Sequence, residues 1–504
     1  MEKNAAFLVV VVLLFAITTG QAAGTIYVDA VSPNDPGSGT IEDPFRKIQA
    51  GINIASPGDT VLINPGAYTG SGNYDLDPQG KSIVIRGTDP NNADVVNNTI
   101  IDPNGAGRGF YFHSSEDANC IVAGLTIKNA HTGGKGGGIF CYNSSPTITN
   151  CVITGNSAGT HGGGLFLQLS NSAITKCVIN GNSAALDGGG FECWLGNPSI
   201  TNCIISDNKA LNGNGGGVDC FNSGNAAVTN CTLVKNTADT GGALYCLGSD
   251  AIFTNNILWA NDANQGMQIG LETYNQITSS LSISHSDVQN GSESVYDPEE
   301  GLSWGGGDID IDPCFASFDP NGDPNLWDLH LQSKDGRWNS TFYKIDFNND
   351  GVINLFDFAG LAEVWLETGN NLLEDLDLSG LIDWSDLKLF SQYFLANSQE
   401  NGWILDANTS PCIDAGDPDF NWTAEPWPSG KRINMGAYGR TTQASKSGNV
   451  ADLNIDGKVN FIDLAELGMM WGVSQELIED LDINGAVELS DFYIMAENWL
   501  WEKQ

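Results

Sequence analysis

A repeat with a period of 25 to 28 residues runs from residue 124 to residue 261, and it constrains the fold more than any other feature of the sequence. Each period ends a short apolar segment at an asparagine and continues into a glycine-rich turn, such as 136–138 or 162–164. The repeated asparagines are Asn129, Asn156, Asn182, Asn208, Asn236 and Asn261. Short β-branched runs without helical periodicity, spaced by turn residues, predict identical coils stacked on one another.

Such a stack gives the repeated residues defined positions. Equivalent residues of neighbouring coils lie ~4.8 Å apart, which is the spacing of paired strands. The asparagines can then hydrogen-bond along a ladder at one turn, while the glycines adopt the positive φ that another turn requires. The sequence therefore predicts a mainly β protein, a right-handed parallel β-helix over residues 24–339, with a C-terminal cap segment at 399–443.

Most of the 11 cysteines fall into two columns of the repeat. The first column holds Cys151, Cys177, Cys203 and Cys231, and the second holds Cys141, Cys193, Cys220 and Cys246. Leu167 fills the second column on one coil, and leucine in place of cysteine indicates an apolar interior position with buried thiols. Disulfides between adjacent coils are the alternative, because the spacing permits them. Cys314 and Cys412 lie in the two halves of the cap and could pair with each other.

The two ends of the predicted β-helix carry further motifs. Residues 26–30 read IYVDA, followed by KIQAGINIAS at 47–56 and GDTVLINPGAY at 58–68. The C-terminal end reads DIDIDPCF at 308–315 and, after an interruption, TSPCIDAGDP at 409–418 and GKRINMGAYG at 430–439. These motifs resemble secreted pectin-lyase-like β-helix proteins over most of residues 25–332 and 403–439. The resemblance implies the fold but leaves the activity open, because this fold hosts lyases, hydrolases, adhesins and simple binders.

The N-terminus has the residue order of a secretory signal peptide. Lys3 precedes an apolar run at 5–17, and small residues follow at 20–24. The run is shorter than the ~20 residues that span a bilayer, so we expect a signal peptide at 1–23 rather than a membrane anchor. The chain has 21 basic and 61 acidic residues and a net charge of −40, which disfavours nucleic acid and anionic membranes as partners. The expected location is extracellular or at the cell surface.

Two segments outside the repeat, 340–398 and 444–504, each carry two calcium loops. Calcium takes about 6–8 oxygen ligands, which a loop supplies from alternate residues around a glycine, with an acidic residue at position 12. The first segment supplies Asp346, Asn348, Asp350, Asn354 and Asp357, then Asp375, Asp377, Ser379, Asp383 and Asp386. The second supplies Asp452, Asn454, Asp456, Asn460 and Asp463, then Asp480, Asp482, Asn484, Glu488 and Asp491. The sequence predicts about four calcium ions, with folding of these modules linked to calcium.

The paired loops are 29 and 28 residues apart, and each has Asp at position 12. Apolar residues at helical spacing follow the loops, for example Phe358, Leu361 and Trp365 after the first. Each pair resembles a type I dockerin, which implies docking to a cohesin-like or other protein. Positions 10 and 11, where dockerins carry small hydroxyl residues, are Leu355 and Phe356 in the first loop. The ligand positions thus predict calcium binding but do not identify the docking partner.

The strands that follow the glycine turns carry the candidate binding residues on their outward face. The outward columns hold the aromatic residues Phe140, Phe166, Trp194, Phe221 and Tyr245 and the acidic residues Glu192 and Asp219. Aromatic rings suit the apolar faces of sugar rings. The two acids could act as general acid and base, as in glycosidases, or bind calcium in a lyase-type site. An ordinary strand face is the plain structural alternative, and the five histidines form no metal-binding pattern.

These features together predict an exported calcium-binding β-helix protein that engages extracellular polysaccharide, with dockerin-like modules for docking. A polysaccharide lyase or O-glycosyl hydrolase of the same fold is the first alternative. A non-catalytic structural protein of the cell surface is the second. The sequence does not identify the glycan.

Overall fold

The chain folds as a stack of parallel coils, as the repeat predicts. This computed structural model describes residues 23–222, 225–324, 327–334, 337–338, 403–404, 406–426 and 432–447, together with scattered positions in 358–362 and 453–496. Within these residues, each full coil contributes one strand to each of four parallel sheets, and neighbouring strands of a sheet come from successive coils. Inward side chains such as Ile148, Ile174 and Ile200 pair in register and are at most 1% exposed. The prediction of a parallel β-helix is confirmed.

The four sheets differ in length, and their strands are short. Sheet 1 contains Thr25–Val28, Thr60–Ile63, Val84–Gly87, Ile121–Ala123, Thr147–Thr149, Ala173–Thr175, Ser199–Thr201, Ala226–Thr229, Asp250–Thr254, Ser280–Ser284 and Leu302–Trp304. Sheet 2 contains Gly66–Tyr68, Thr99–Ile101, Thr126–Lys128, Val152–Thr154, Val178–Asn180, Ile204–Ser206, Thr232–Val234, Ile257–Trp259 and Asp287–Val288. Sheet 3 contains His131–Thr132, Ser157–Ala158, Ser183–Ala184, Lys209–Ala210, Thr237–Thr240 and Asp262–Gln265. Sheet 4 contains Phe110–Phe112, Ile139–Tyr142, Leu165–Gln168, Phe191–Trp194, Val218–Phe221, Leu244–Leu247, Ile269–Glu272 and Val295–Tyr296.

An asparagine ladder lies at the turn between sheets 2 and 3. The Asn182 amide nitrogen donates to the Asn208 side-chain oxygen over 3.0 Å, and the same contact repeats between Asn208 and Asn236 over 2.9 Å. The ladder runs from Asn156 to Asn261 as predicted. Asn129 is not part of it: it is exposed and lies one residue too early, because Thr126 rather than Ile127 pairs with Val152. In this coil, Ala130 rather than Asn129 therefore occupies the ladder position.

The cysteine columns are interior, and all 11 cysteines are free thiols. Cys151, Cys177, Cys203 and Cys231 are at most 1% exposed, and so are Cys141, Cys193, Cys220 and Cys246. The interpretation of buried thiols is confirmed. The alternative pairing of Cys314 with Cys412 is wrong, because the Cys314 thiol lies 3.4 Å from the Asp312 carbonyl and the Cys412 thiol donates to the Asp287 carboxyl over 3.1 Å.

Short helices lie at the N-terminal end of the stack and between its strands. The α-helix Ile48–Ile54 closes the N-terminal end, with Ile48 and Ile52 fully buried. Gly51 allows its close approach, because a Cβ there would lie 3.1 Å from methyl groups of Val28 and Val61. A second α-helix, Ala93–Asn98, begins at Asn92, whose side chain accepts from the amide of Asp94 over 2.9 Å. A 3₁₀ turn occupies Gly291–Ser294.

The C-terminal cap packs on the outer face of sheet 2. Its strand Phe315–Ser317 pairs antiparallel with Asp328–Leu331, and Arg337–Trp338 pairs antiparallel with Trp403–Ile404. The second pair brings together the two ends of the segment 339–402, which includes the predicted module 340–398. A satellite apolar cluster joins cap residues to sheet 2 through Val234, Ile257, Phe315, Leu329, Leu331, Cys412, Ile413 and Met435.

The predicted calcium loops and the signal peptide lie almost entirely outside the described residues. Of the predicted calcium ligands only Asp463 is described, and it is buried in a helical turn. In the same segment, Leu453, Val459, Leu481 and Val487 belong to one buried apolar cluster. These are positions 2 and 8 of the two loops of the second module. No helix in the described part of the chain is long and apolar enough to cross a membrane.

Candidate functional site

The candidate residues lie in register on the outward face of sheet 4. Phe140 pairs with Phe166, which pairs with Glu192, and Glu192 pairs with Asp219 on the next coil. The second outward column pairs Gln168 with Trp194 and Trp194 with Phe221. Parallel pairing without a register shift therefore brings together side chains that lie a full period apart in the sequence.

An unbroken row of aromatic rings crosses this face. The ring centroids of Tyr111 and Phe140 are 5.1 Å apart, and those of Phe140 and Phe166 are 5.3 Å apart. The row continues from Phe166 to Trp194 at 5.3 Å, to Phe221 at 5.1 Å and to Tyr274 at 4.7 Å. We call these six residues the aromatic row: Tyr111, Phe140, Phe166, Trp194, Phe221 and Tyr274.

The row is less open than the alternation of the sequence predicts. Phe140, Trp194 and Phe221 are partly exposed, but Phe166 is fully buried. Tyr245 is 2% exposed and lies outside the row, packed over Gly270 of the next coil, where a Cβ would lie 2.9 Å from its ring. The alternation of strand residues gives the direction of a side chain but not whether a neighbouring turn covers it.

Two cations cover the row from the turns that precede sheet 4. The Lys135 ammonium lies 3.3 Å from the centroid of the Trp194 ring and 4.7 Å from that of Phe166. The Arg108 guanidinium lies 5.3 Å from the centroid of Tyr111 and 5.5 Å from that of Phe140. Cations at such distances are attracted to the electron-rich ring faces. A strongly acidic protein thus places positive charge over its aromatic surface.

Beneath Lys135 lies a cluster of acids around His161. The His161 Nδ1 is 3.1 Å from the Glu192 carboxyl and 3.5 Å from that of Asp187. Although His161 Nδ1 and Glu192 Oε2 are close, they are not aligned for a hydrogen bond, and neither atom has another hydrogen-bond partner among the described residues. The other Glu192 oxygen accepts from the Trp194 indole. Asp219 pairs with Glu192 on the adjacent strand.

Burial controls the charge of this cluster. It raises the pKa of Glu192 well above the usual value, repulsion from Asp187 raises it further, and the Trp194 hydrogen bond and Lys135 only partly oppose the shift. Burial followed by repulsion from Glu192 likewise raises the pKa of Asp219. Burial lowers the pKa of His161. Burial thus favours the protonated forms of Glu192 and Asp219 and the neutral imidazole of His161, and Asp187 is the more accessible carboxyl at 29% exposure.

Sequence reasoning missed Lys135, His161 and Asp187, although a signal was present. Each is the residue immediately before a glycine triplet, so the three form a single column one period apart. The Gly136 amide donates to the His161 carbonyl and the Gly162 amide to the Asp187 carbonyl, which fixes this column in register. The alternation of the strands indicated Glu192 and Asp219, whereas Lys135, His161 and Asp187 lie in the turns that precede these strands.

Metal binding at this cluster has no support from the geometry. Within the described residues, no group of three or more His, Cys, Asp or Glu side chains is arranged to hold a metal ion. The Lys135 ammonium, which lies over the Trp194 ring and interacts with Glu192, also disfavours a second cation there by repulsion. The lyase-type calcium site considered for Glu192 and Asp219 does not fit the residues around them.

Comparison with known proteins agrees with the architecture. The family model for the right-handed β-helix region matches residues 82–258 and 137–315, so the predicted handedness is confirmed. No curated protein sequence matches the chain significantly. Similar solved structures include the pectate lyase Pel9A, with 13% identity and a TM-score of 0.38 over 83% of this chain and 97% of that one.

Two further similar structures belong to other enzymes. The pectin methylesterase from carrot has 12% identity and a TM-score of 0.31, with 62% of this chain and 88% of that chain covered. A rhamnogalacturonan lyase has 13% identity and a TM-score of 0.25, with coverage of 60% and 94%. Similarity at this level concerns the β-helix alone, and the chemistry of this chain depends on its own residues.

Proposed function

We propose that this right-handed parallel β-helix protein binds an extracellular polysaccharide along the outward face of sheet 4. The observation that carries the proposal is the continuous aromatic row. Successive coils repeat at ~4.8 Å, which is close to the length of a pyranose unit. A polysaccharide chain aligned with the helix axis would therefore meet about one coil per sugar, and the partly exposed rings of Phe140, Trp194 and Phe221 would stack on its apolar faces.

The cations over the row support this proposal and extend the range of ligands. Desolvation by burial lowers the pKa of Lys135, so the cation is already partly dehydrated over the rings. Lys135 and Arg108 can donate hydrogen bonds to sugar hydroxyls or pair with the carboxylates of an acidic polysaccharide. The net charge of −40 repels an acidic chain, and these two cations offset that repulsion locally at the aromatic row.

Cleavage of the bound polysaccharide is a second candidate function, and the buried acids favour it. Glycosidases use one carboxyl that stays protonated and a second that acts as base or nucleophile. Glu192 has the environment of the first, and the more accessible Asp187 lies near the same nitrogen of His161. Glu192 is only 1% exposed, so Lys135 and Trp194 would have to move before a glycosidic oxygen could reach it. Because of this requirement, binding is the primary proposal and cleavage is the second.

Substitution in the row tests binding. Trp194→Ala should weaken binding of the cognate glycan by roughly 5–30-fold, since one stacking contact contributes on the order of 1 kcal/mol and 1.4 kcal/mol is tenfold. Trp304→Ala is a matched control, because Trp304 is a partly exposed tryptophan of sheet 1, at 37% exposure. A glycan array followed by calorimetry on the full chain measures both variants. If Trp194→Ala binds every glycan as well as the parent, the row is not the binding surface.

Glu192→Gln separates binding from cleavage. The substitution keeps the size of the side chain and an acceptor for the Trp194 indole, but it removes the acidic proton. In a binding protein the affinity should change little. In an enzyme the release of reducing ends or of unsaturated products should disappear while the affinity remains.

We further propose that residues 340–398 and 444–504 bind about four calcium ions and dock a cohesin-like or other protein. The shared burial of positions 2 and 8 of both loops in the second module supports this arrangement. Calcium should add helical circular dichroism to the full chain, because fourteen ligand carboxylates repel one another in its absence. Asp456→Ala combined with Asn484→Ala should reduce the gain. An identical helical signal in excess chelator would contradict calcium-linked folding.

Export through the signal peptide at 1–23 is part of the same proposal. The expected product in the growth medium begins at Ala23 or Gly24. N-terminal sequencing of the released protein checks this, and retention of Met1 in a cell-bound protein would indicate an anchor instead.

A further inference from the structure

A cleft lies between sheet 2 and the C-terminal cap, and none of its lining residues belongs to sheet 4. Its volume is about 440 Å³. The last coils contribute Trp259, Ala260 and Gln289, and the cap contributes Asp312 to Pro320 on one side and Gln332 and Asn408 on the other. The size falls within the range of small-molecule sites, which is about 300–1,000 Å³. We call this the cap cleft.

Aromatic side chains give the cap cleft apolar walls that are held in place. Phe315 and Phe318 are 5.6 Å apart at their ring centroids, and Phe318 packs on Trp327 at 5.0 Å. The Trp327 indole donates to the Asp319 carbonyl over 2.9 Å, which fixes this side of the cleft. Trp259, at the end of its strand in sheet 2, also lines the cleft and is partly exposed. Aromatic rings held in place suit a ligand with a flat apolar face.

Neutral amide groups line the remainder of the cap cleft. The Gln289 side-chain oxygen accepts from the Ala260 amide over 2.7 Å and from the Gln268 side chain over 3.4 Å, which leaves the Gln289 amide nitrogen as a donor. The Gln332 side chain donates to the Phe315 carbonyl over 3.1 Å, and Asn408 donates to Gln332 over 3.4 Å. The Asn408 side-chain oxygen is left as an acceptor. Both a donor and an acceptor are thus available to hydroxyl groups.

The charges of the cap cleft exclude an acidic ligand. Asp312 is its ionisable carboxyl, and neither lysine nor arginine is among the residues that line it. Burial raises the pKa of the Cys314 thiol, followed by repulsion from Asp312, so this cysteine stays neutral. The aromatic row has the reverse character, with Lys135 and Arg108 over its rings. The amide and aromatic groups of the cap cleft suit a neutral ligand that is rich in hydroxyl groups and flat on at least one face.

We propose that the cap cleft is a second carbohydrate site that binds a short neutral oligosaccharide. One sugar ring would stack on Trp259 or Phe318, and its hydroxyls would hydrogen-bond to Gln289 and Asn408. The proposal rests on these residues and does not depend on the function proposed for sheet 4. Together the two sites would allow the chain to hold a neutral glycan and a second glycan segment at the same time.

Two substitutions at equivalent positions test the proposal. Ala260→Tyr fills the cap cleft, whereas Lys235→Tyr places the same side chain one coil earlier and outside it. The match is close, because Val234 pairs with Trp259 and both following residues have left-handed backbone, with φ of 59° at Lys235 and 53° at Ala260. Calorimetry on the full chain, with neutral gluco-, manno- and xylo-oligosaccharides and with oligogalacturonate as probes, measures binding.

At least one neutral oligosaccharide should bind, and Ala260→Tyr should weaken it by about tenfold or more while Lys235→Tyr leaves it unchanged. Asn408→Ala, at an exposed residue, should weaken the same ligand by about 2–10-fold through loss of one hydrogen bond. Binding of oligogalacturonate should not respond to either substitution.

Two results would overturn the proposal. One is a parent chain that binds none of the neutral probes. The other is neutral binding that Ala260→Tyr leaves intact and Trp194→Ala removes, which would assign all carbohydrate binding to the aromatic row. In that case the function proposed for sheet 4 would stand and the cap cleft would not be a site.

Discussion

The stack of coils and the C-terminal cap bury polar groups in opposite ways. In the stack, a buried polar side chain finds its partner in its own copy on the next coil, as Asn182 does in Asn208 over 3.0 Å. In the cap, the partners are unlike and distant in sequence. The Cys412 thiol contacts the Asp287 carboxyl of the last coils over 3.1 Å, and the guanidinium of Arg337 contacts Asp406 over 3.0 Å.

This difference predicts different responses to substitution. Each coil contacts its two neighbours, so a defect inside the stack disrupts interfaces on both sides and should lower the stability of the whole β-helix. A defect in the cap removes one partner of a unique pair and should loosen the cap while the coils stay folded. The size of the loss in stability and the region that unfolds are thus two separate tests of the contrast between stack and cap.

The largest effect is expected for Cys177→Asp. Cys177 is 1% exposed between two other thiols, so the substitution places a charge among apolar groups with no partner. The free energy of unfolding should fall by about 4 kcal/mol or more. Urea unfolding followed by circular dichroism measures the loss. Cys314→Asp, at a partly exposed thiol of the cap region, is the control and should change little. A stable Cys177→Asp variant would contradict the interior position.

Arg337→Met should have the next largest effect, confined to the cap. Arg337 is 6% exposed and pairs with Asp328 over 2.8 Å and with Asp406 over 3.0 Å, so its loss removes the guanidinium from Asp406 and leaves Asp328 with His330. The local cost is about 3 kcal/mol. Hydrogen exchange should accelerate in residues 406–447 and not in strands such as Ala173–Thr175. Lys334→Met, at an exposed neighbour, is the control. Equal acceleration in the coils would show that cap and stack unfold together.

A smaller effect per group is expected from pH, within the cap and where the cap contacts the last coils. Burial raises the pKa of Asp287 to about 7 and that of Glu425 to about 7. The folded cap therefore favours the neutral forms, and their stabilisation is complete below the unfolded pKa of about 4 and is lost as pH rises through about 7. Asp328 behaves oppositely: despite its burial, His330 and Arg337 hold its pKa below the usual value, so its contribution is lost only in more acidic solution.

The two raised groups should each destabilise the cap by about 2 kcal/mol between about pH 5 and about pH 8. Asp287→Asn combined with Glu425→Gln should remove most of that dependence. Cap unfolding measured by hydrogen exchange at both pH values, corrected for the intrinsic rate, checks the prediction. If the parent cap is more stable at the higher pH, the sign is wrong and the carboxyls are not held neutral.

The sequence was informative where the molecule repeats itself. The coil period, the asparagine ladder and the cysteine columns follow from spacing alone, because each copy meets the next at the strand separation. The one misassigned residue of the ladder, Asn129, belongs to its first coil, where the strands keep the register of Thr126 with Val152 but the asparagine lies one residue before the ladder position. Repetition also explains why the outward register of Glu192 and Asp219 was predicted correctly.

What the sequence could not give were contacts between unlike residues far apart in the chain. The cover of Lys135 over Trp194 decides how open the aromatic row is, and the proximity of His161 to Glu192 decides the charge of the acids. Both depend on how turns lie beside strands, which alternation does not encode. The cap is the extreme case, since the pairing of Cys412 with Asp287 joins residues 125 positions apart.

The smallest expected effect gives the most direct comparison, because the same substitution, cysteine to valine, can be made in the stack and in the cap. Cys177→Val should lower the free energy of unfolding by less than about 1 kcal/mol, since valine refills an apolar slot and the thiol donates only weakly, to carbonyls at 3.3 and 3.7 Å. Cys412→Val should lower it by about 1–2 kcal/mol, because it removes the donor to a buried Asp287 oxygen. The difference between Cys412→Val and Cys177→Val should shrink when Asp287→Asn is also present, because the carboxyl that accepts from the Cys412 thiol has then been replaced. Urea unfolding of the two single variants and of the double variant measures it. If Cys177→Val is the more damaging of the two, the thiol column carries specific interactions and the contrast between a repetitive stack and a pairwise cap does not hold.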